Sequence, residues 1–418
     1  MTDQPRIQVD PCELSGRVRV PLSKSLLHRS QICAALAGRP ELIDLGDGEL
    51  SVDIRATGDC LSKLLAKDGE TETGELLLDC KESGSTLRFL IPLAAALGRS
   101  VRFVGEGRLP KRPLREYAEL FRDTDVNLVF PNDGQYLPLH LSGRMTAGTY
   151  TLPGNVSSQY ISGLLMALPL TGGTAEIVLS TELESEPYVN LTIAVMQAFG
   201  VRVDKTATGY IVPGGQRYFR EAMYFSEPDF SQAAFWLVAS SLGHKVDIEG
   251  LPSDSAQGDR AAVEILKELD QRRNTEESSE FIIDASQIPD LIPALSVAAA
   301  VTPGVTRVIK ASRLRIKECD RLEATLEMLE KFGAEASIDG DSLVIHGRIV
   351  KPGQTAFCAC EINGYNDHRM VMAATIAATR ADGPVVISDA RAIRKSYPKF
   401  FEDFRRIGGS AHELDVGK

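Results

Sequence analysis

The stretch Ser312-Arg313-Leu314-Arg315-Ile316-Lys317-Glu318-Cys319-Asp320-Arg321 runs a strand-like alternation into a cluster of charge. A helical pattern follows, with Leu322, Leu326, Leu329 and Phe332 on one apolar face. Arg315, Lys317, Glu318, Asp320 and Arg321 therefore fall at a strand-to-helix junction. Backbone N–H groups and the positive end of a helix dipole emerge there, and both favour a bound anion. A charge run taken alone is more often a solvated turn. Recurrence gives this one weight, because similar junctions return along the whole chain.

Working outward, Ala-, Leu- and Ile-rich helical patterns open on small polar residues. Ser23-Lys24-Ser25 leads into 26–37, Ser83-Gly84-Ser85-Thr86 into 87–97, and Ser157-Ser158-Gln159 into 160–170. Asp229-Phe230-Ser231-Gln232 leads into 233–242, Pro289-Asp290 into 291–301, and Asn366-Asp367-His368-Arg369 into 370–379. Small polar residues at these places are helix N-cap signals. A second, more charged helix type alternates with the first, at 188–200, 258–270, 317–333 and 398–408, with weaker versions at 54–68 and 114–123. Two of these end on similar text, Phe199-Gly200-Val201 and Phe332-Gly333-Ala334, where the glycine reads as a C-cap before a strand. Strand-like runs fill the gaps at 8–20, 76–78, 100–104, 174–180, 245–248, 281–283, 342–345 and 385–387. The pattern is six copies of a two-helix, several-strand unit spaced by about 60–75 residues, longer than common solenoid periods. Three copies per domain make two similar α/β domains. The first helix of each copy is almost wholly apolar, which predicts that it is buried with its polar start aimed at one place. That place is expected to be the cleft between the domains.

At 418 residues the chain exceeds one ordinary core. Its net charge of -11 argues against a general nucleic-acid or acidic-membrane binder, though not against a small anion met by local Arg and Lys. The seven cysteines are scattered, and Cys358 and Cys360 match no redox or zinc spacing, which suits a reducing compartment. The start, Met1-Thr2-Asp3-Gln4-Pro5, has no signal-peptide pattern, and no apolar run reaches membrane-spanning length.

The junction residues speak for anion handling. Lys24 and Arg29 flank the first helix start, and Arg88 lies just inside the second. Arg108, Lys111, Arg112 and Arg115 surround Pro110 and Pro113. Arg391, Arg394 and Lys395 come near the end. Asp290, Glu318, Asp320 and Asp367 are interleaved acids, and a carboxylate held among cations can move protons when its pKa is tuned. There is no metal-ligand set, no Gly-x-Gly-x-x-Gly and no Walker loop. The residues by themselves reach a two-domain α/β protein that binds small polyanions.

Read in order, the junctions resemble the EPSP synthase (enolpyruvyl-shikimate-phosphate synthase) family. The resemblance rests on Ser23-Lys24-Ser25 with Arg29, Ser83-Gly84-Ser85-Thr86 with Arg88, Arg108 through Arg112-Pro113, and Ser157-Ser158-Gln159. It continues through Ser185 with Pro187-Tyr188, Pro289-Asp290, Arg315 through Arg321, Asn366-Asp367-His368-Arg369-Met370, and Lys395. It implies the two-domain enolpyruvyl transferase fold, three βαβαββ units per domain around buried helices, an inside-out α/β barrel. The domains would be 21–227 and a discontinuous 1–20 with 228–418. The implied reaction transfers the enolpyruvyl group of phosphoenolpyruvate to the 5-hydroxyl of shikimate-3-phosphate and releases phosphate, in the shikimate pathway.

The same resemblance assigns residues. Lys24, Asp290, Glu318 and His368 would be catalytic. The shikimate-3-phosphate set would be Lys24, Ser25, Arg29, Ser157, Ser158, Gln159, Ser185, Tyr188, Asp290 and Lys317. The phosphoenolpyruvate set would be Lys24, Gly84, Arg112, Gln159, Arg321, Arg369 and Lys395. No cofactor or metal is implied, and a cytoplasmic monomer without nucleic-acid or membrane partners is expected. Two places depart from the family pattern: Leu22 where Gly is usual, and Lys81-Glu82 where Gly-Asn is usual. An acid at 82 beside an anion site is unfavourable unless Lys81 or another cation pairs with it. The rivals are a UDP-N-acetylglucosamine enolpyruvyl transferase, disfavoured by the lack of cysteine in the 108–115 loop, and a non-catalytic anion-binding module of the same fold.

Overall fold

The structure, a computed structural model, describes residues 5–46, 48–66, 74–131, 133–276 and 278–414. Met1–Gln4 and the end of the helix expected over 54–68 lie outside the described residues. The chain forms two compact units, Leu22–Glu227 and Met1–Pro21 with Pro228–Lys418.

Within Leu22–Glu227, one repeat runs Leu76–Asp79, helix Gly84–Leu97, Val101–Val104, helix Arg115–Leu120, Asn127–Val129 and Leu139–Ser142. The first two strands pair in parallel, the second pairs antiparallel with the fourth, and the fourth antiparallel with the third. The next repeat copies this pairing around helices Ser158–Ala167 and Glu186–Ala198. The remaining part holds helices Lys24–Leu36 and Val52–Leu64, with a lone parallel bridge between Ile43 and Tyr224. The unit's ends are tied by Ser23 N–H donating to the Glu227 carbonyl at 2.7 Å.

The other unit repeats the pattern. Phe281–Asp284, helix Ile292–Ala300, Gly304–Ile309, helix Arg321–Lys331, Glu335–Asp339 and Ser342–Gly347 form a four-stranded sheet of the same order. Glu361–Ile362, helix His368–Ala378, Val385–Ile387, helix Phe400–Arg406 and Ser410–Leu414 form the next. Its missing strand is Arg6–Asp10, which lies between Val385–Ile387 and Ser410–Leu414. Helices Phe230–Ser241 and Ala261–Thr275 go with a two-stranded parallel pair, Ser15–Val18 and Lys245–Ile248.

The six copies expected from sequence are thus four complete βαβαββ repeats and two reduced ones. Among the described residues of 249–280 the chain passes from helix to the next strand with no hairpin of its own. The sheets are open, and among the described residues no sheet closes into a barrel.

The six apolar helices lie in two cores, and every residue of Ile292–Ala300 and His368–Ala378 is buried. Four of their starts carry the expected caps. Ser83 accepts from Thr86 N–H, Ser157 from Gln159 N–H, Asp229 from Ser231 and Gln232 N–H, and Asp367 from Arg369 N–H. The other two differ. Ser23 makes no side-chain cap, and its buried Oγ has no hydrogen-bond partner among the described residues. Asp290 is no cap either, because its helix begins at Ile292 and its carboxylate turns to cations. The 160–170 pattern stops at Ala167, where Leu168-Pro169-Leu170 tightens into a 3-10 turn. Ser312–Ile316, expected as strand-like, is a 3-10 turn after the strand Gly304–Ile309. Gly200 and Gly333 take φ of 75° and 76°, and the next N–H returns to Met196 O and Leu329 O, closing each helix as expected.

Candidate active site

In the unit that contains residues 228–418, the organising side chain is Arg321, the first residue of its helix, with 1% of its side chain exposed. Its Nε donates to Asp367 Oδ2 at 2.7 Å, Nη1 to Asp290 Oδ1 at 2.7 Å, and Nη2 to Glu318 Oε2 at 2.6 Å. Asp290 receives two further cations: Lys317 Nζ on Oδ1 at 3.2 Å and Arg369 Nη2 on Oδ2 at 2.9 Å. Arg369 is steadied by the Asp290 carbonyl at 3.0 Å and by Ser231 Oγ at 3.2 Å. Burial pushes the Asp290 pKa up, but Arg369, Lys317 and Arg321 outweigh it and hold the carboxyl well below its usual range. Burial pulls Lys317 down to about 8, against the attraction of Asp290. Arg321 is held well above its ordinary value, since Asp367, Glu318 and Asp290 override its desolvation.

His368 is 2% exposed, with Nδ1 3.9 Å from Asp367 Oδ1. Lys395 Nζ donates to the Asn366 carbonyl at 2.5 Å. Tyr365 and Asn366, just before, both take positive φ, 53° and 49°. Two consecutive non-glycine residues there are costly, and the Lys395 contact helps to hold the turn. Arg315, by contrast, faces Asp320 and Glu323 at 3.3 and 2.8 Å, an ordinary partly exposed ion pair.

In the unit Leu22–Glu227, Lys24 opens its helix and pairs with Asp53 at 2.8 Å, both largely enclosed. Arg29, one turn on, donates to Ser25 O at 2.6 Å, Tyr188 O at 3.0 Å and Thr192 Oγ1 at 2.6 Å. Its guanidinium also lies over the Phe89 ring, and burial pulls its pKa down to about 10. Arg29 therefore fixes two other members of the proposed set, Ser25 and Tyr188.

Gly84 opens the next helix, and a Cβ there would lie 2.6 Å from Arg112 Nη1. Only glycine lets that guanidinium rest against the helix start. Arg88 Nη1 donates to Gln159 Oε1 at 2.9 Å, and Gln159 Nε2 to Ser85 Oγ at 2.9 Å. Ser157 and Ser158 occupy the cap and first turn of the Gln159 helix. Ser185 stands before the Tyr188 helix with φ of 54°. Lys81 pairs with Asp79 at 2.6 Å, and Glu82 lies against Gly107. Leu22 lies beside Gly46.

The expected residues thus fall into separate local clusters within each unit, with Asp290, Lys317, Glu318, Arg321 and Arg369 joined in one of them. The phosphoenolpyruvate set divides into Lys24, Gly84, Arg112 and Gln159 in one unit and Arg321, Arg369 and Lys395 in the other. Sequence reading missed Asp53 and Ser231 and left Arg88 out of the site sets. Ser231 was visible only as part of a cap motif, and Asp53 carried no local signal. Among the described residues no group of three or more His, Cys, Asp or Glu is placed to hold a metal ion. No described helix is long and apolar enough to cross a membrane.

Two compact α/β units built of βαβαββ repeats, with cations and carboxylates gathered at buried helix starts, define the enolpyruvyl transferase class. The fold is that of the EPSP synthase from Acinetobacter baumannii, with a TM-score of 0.76 at 22% identity over 98% of this chain and 100% of that one. It is also that of the enolpyruvyl transferase NikO from Streptomyces tendae, with a TM-score of 0.72 at 17% identity over 98% and 99%. Residues 9–404 match the sequence model of EPSP synthase (3-phosphoshikimate 1-carboxyvinyltransferase), and the chain belongs to that family. The 3-phosphoshikimate 1-carboxyvinyltransferases of Clostridium kluyveri and Clostridium acetobutylicum are each 40% identical to it, over 99% of both chains in each case.

Proposed function

We propose that the chain transfers the enolpyruvyl group of phosphoenolpyruvate to the 5-hydroxyl of shikimate-3-phosphate and releases phosphate. Family membership supports the reaction class. The observation in this chain that carries it is the Asp290 carboxylate, enclosed by Lys317, Arg321 and Arg369. A site of that kind offers cations for phosphate and carboxylate groups and a base beside them.

In this reading the 5-hydroxyl loses its proton as its oxygen bonds to C2 of phosphoenolpyruvate, and C3 gains a proton. The tetrahedral adduct then loses phosphate from C2 and a proton from C3, which restores the double bond. Lys24, Asp290 and Glu318 handle these protons, and His368 supports the Asp367 side. The carboxylate and phosphate of phosphoenolpyruvate are assigned to Arg112 with Gly84 and Gln159 in one unit, and to Arg321 and Arg369 with Lys395 in the other, the three Arg side chains serving as forks. Ser25, Ser157, Ser158, Ser185, Tyr188 and Lys317 hold shikimate-3-phosphate, and Arg29 holds Ser25 and Tyr188 in place. Cytoplasmic, monomeric action belongs to the same proposal. Light scattering of the purified chain checks the monomer.

The reading is tested by phosphate release from the purified chain. Release that requires both shikimate-3-phosphate and phosphoenolpyruvate is expected. Equal release with either one alone, or none with both, overturns it.

A pH dependence follows from Lys317. It is charged below about 8 in the free protein and loses its proton as pH rises through that value. Its hold on a phosphate group weakens in the same direction. The kcat/KM for shikimate-3-phosphate is expected to fall as pH climbs past about 8, and Lys317→Met to remove that limb of the profile. An unchanged limb in the variant would assign the titration to another group.

A further inference from the structure

A line of short hydrogen bonds runs behind the Gly84 turn. His28 Nδ1 lies 2.7 Å from Thr57 Oγ1, Thr57 Oγ1 2.7 Å from Thr86 Oγ1, and Thr86 Oγ1 2.7 Å from Ser83 Oγ. The four side chains are at most 1% exposed. They come from three helices: His28 from the one that bears Lys24, Thr57 from the one that bears Asp53, and Thr86 from the one that Gly84 opens. Ser83 ends the line as the cap of that last helix, accepting from Thr86 N–H at 3.1 Å. Thr57 and Thr86 also lie 3.3 and 3.5 Å from the Asp53 carbonyl.

We infer that His28 and Thr57 are positioning residues for the enolpyruvyl donor: the His28–Thr57–Thr86–Ser83 line fixes the Gly84 turn against which the Arg112 guanidinium rests. This deepens the proposed function and rests on its placement of Gly84 and Arg112. With Thr86 donating to Ser83, Thr57 donates to Thr86 and His28 Nδ1–H donates to Thr57. Each hydroxyl hydrogen then points the same way, and such chains strengthen their members. His28 Nε2 is left as a bare, buried lone pair with no partner among the described residues. Burial, with Lys24 and Arg29 nearby, holds His28 well below its usual pKa, so a neutral donor at Nδ1 suits the line. Shikimate-3-phosphate contacts depend on it less, because Arg29 ties Ser25 and Tyr188 together separately.

Thr57→Val keeps the shape and removes the hydroxyl, and Thr57→Ser restores it. The expected result is a KM for phosphoenolpyruvate raised about tenfold in Thr57→Val, the scale of one lost buried hydrogen bond. The KM for shikimate-3-phosphate stays within about twofold, and Thr57→Ser returns both to the parent values. Amide hydrogen exchange at Gly84–Leu87 in the ligand-free chain is expected to quicken in Thr57→Val alone. Equal rises for both substrates, or an unchanged phosphoenolpyruvate KM, overturn the inference. Should the parent chain turn over neither substrate, the proposed reaction fails by itself, and the exchange rates alone decide whether the line holds the turn.

Discussion

Arg321→Met is expected to destabilise the unit that contains residues 228–418 by about 3–5 kcal/mol, the cost of breaking a buried ion cluster from one side. The guanidinium is 1% exposed and meets Asp290, Glu318 and Asp367, each at 2.7 Å or less. Methionine fills much the same volume but returns no charge. Asp290 keeps Lys317 and Arg369, and Asp367 keeps the Arg369 N–H, but all three carboxylates lose the guanidinium. Arg321→Lys keeps a charge without the three-way fork and should fall between parent and Arg321→Met. The chain's only tryptophan, Trp236, is fully buried in the core of this same unit. Its fluorescence during urea unfolding therefore reports the affected unit. A midpoint in Arg321→Met equal to that of the parent would show that the cluster adds no net stability.

Asp290→Asn is expected to lower kcat for phosphate release by about 10²–10⁴, the range for a lost proton-transfer group. Anion binding should survive, because Lys317, Arg321 and Arg369 remain and have lost a competing negative charge. The free protein holds Asp290 well below the usual carboxylate range, which makes it a poor base before substrate arrives. Substrate phosphate or carboxylate groups that engage the same cations would relax that hold and raise its basicity. Steady-state kinetics separate the terms. A kcat within about tenfold of the parent, or a large rise in both KM values, would move Asp290 from proton transfer to binding.

The family motifs were legible because they sit at helix starts, where local cap chemistry and a repeated apolar pattern coincide. Ser83, Ser157, Asp229 and Asp367 all cap as their neighbours suggested. The β-hairpins were less visible. Asn127–Val129 has three residues and Asp204–Lys205 two, too few to show alternation. Nor did the sequence mark two of the six repeats as reduced. The links inside the site escaped because they are non-local. Lys24 meets Asp53 29 residues away, and Arg321 meets Asp367 46 away. Each partner alone is an ordinary charged residue. Lys81, one of the cations that could offset Glu82, pairs with Asp79 instead.

The strand Arg6–Asp10 has a consequence for how a ribosome delivers this protein. It is made long before its sheet partners, Val385–Ile387 and Ser410–Leu414. At roughly 5–20 residues per second, some 20–80 seconds separate them. Leu22–Glu227 holds both strands of every pair in its two sheets and can assemble during that wait. Arg6–Asp10 cannot, and Ile7 and Val9, which end up fully enclosed, stay open to stray strand pairing until those partner strands are made.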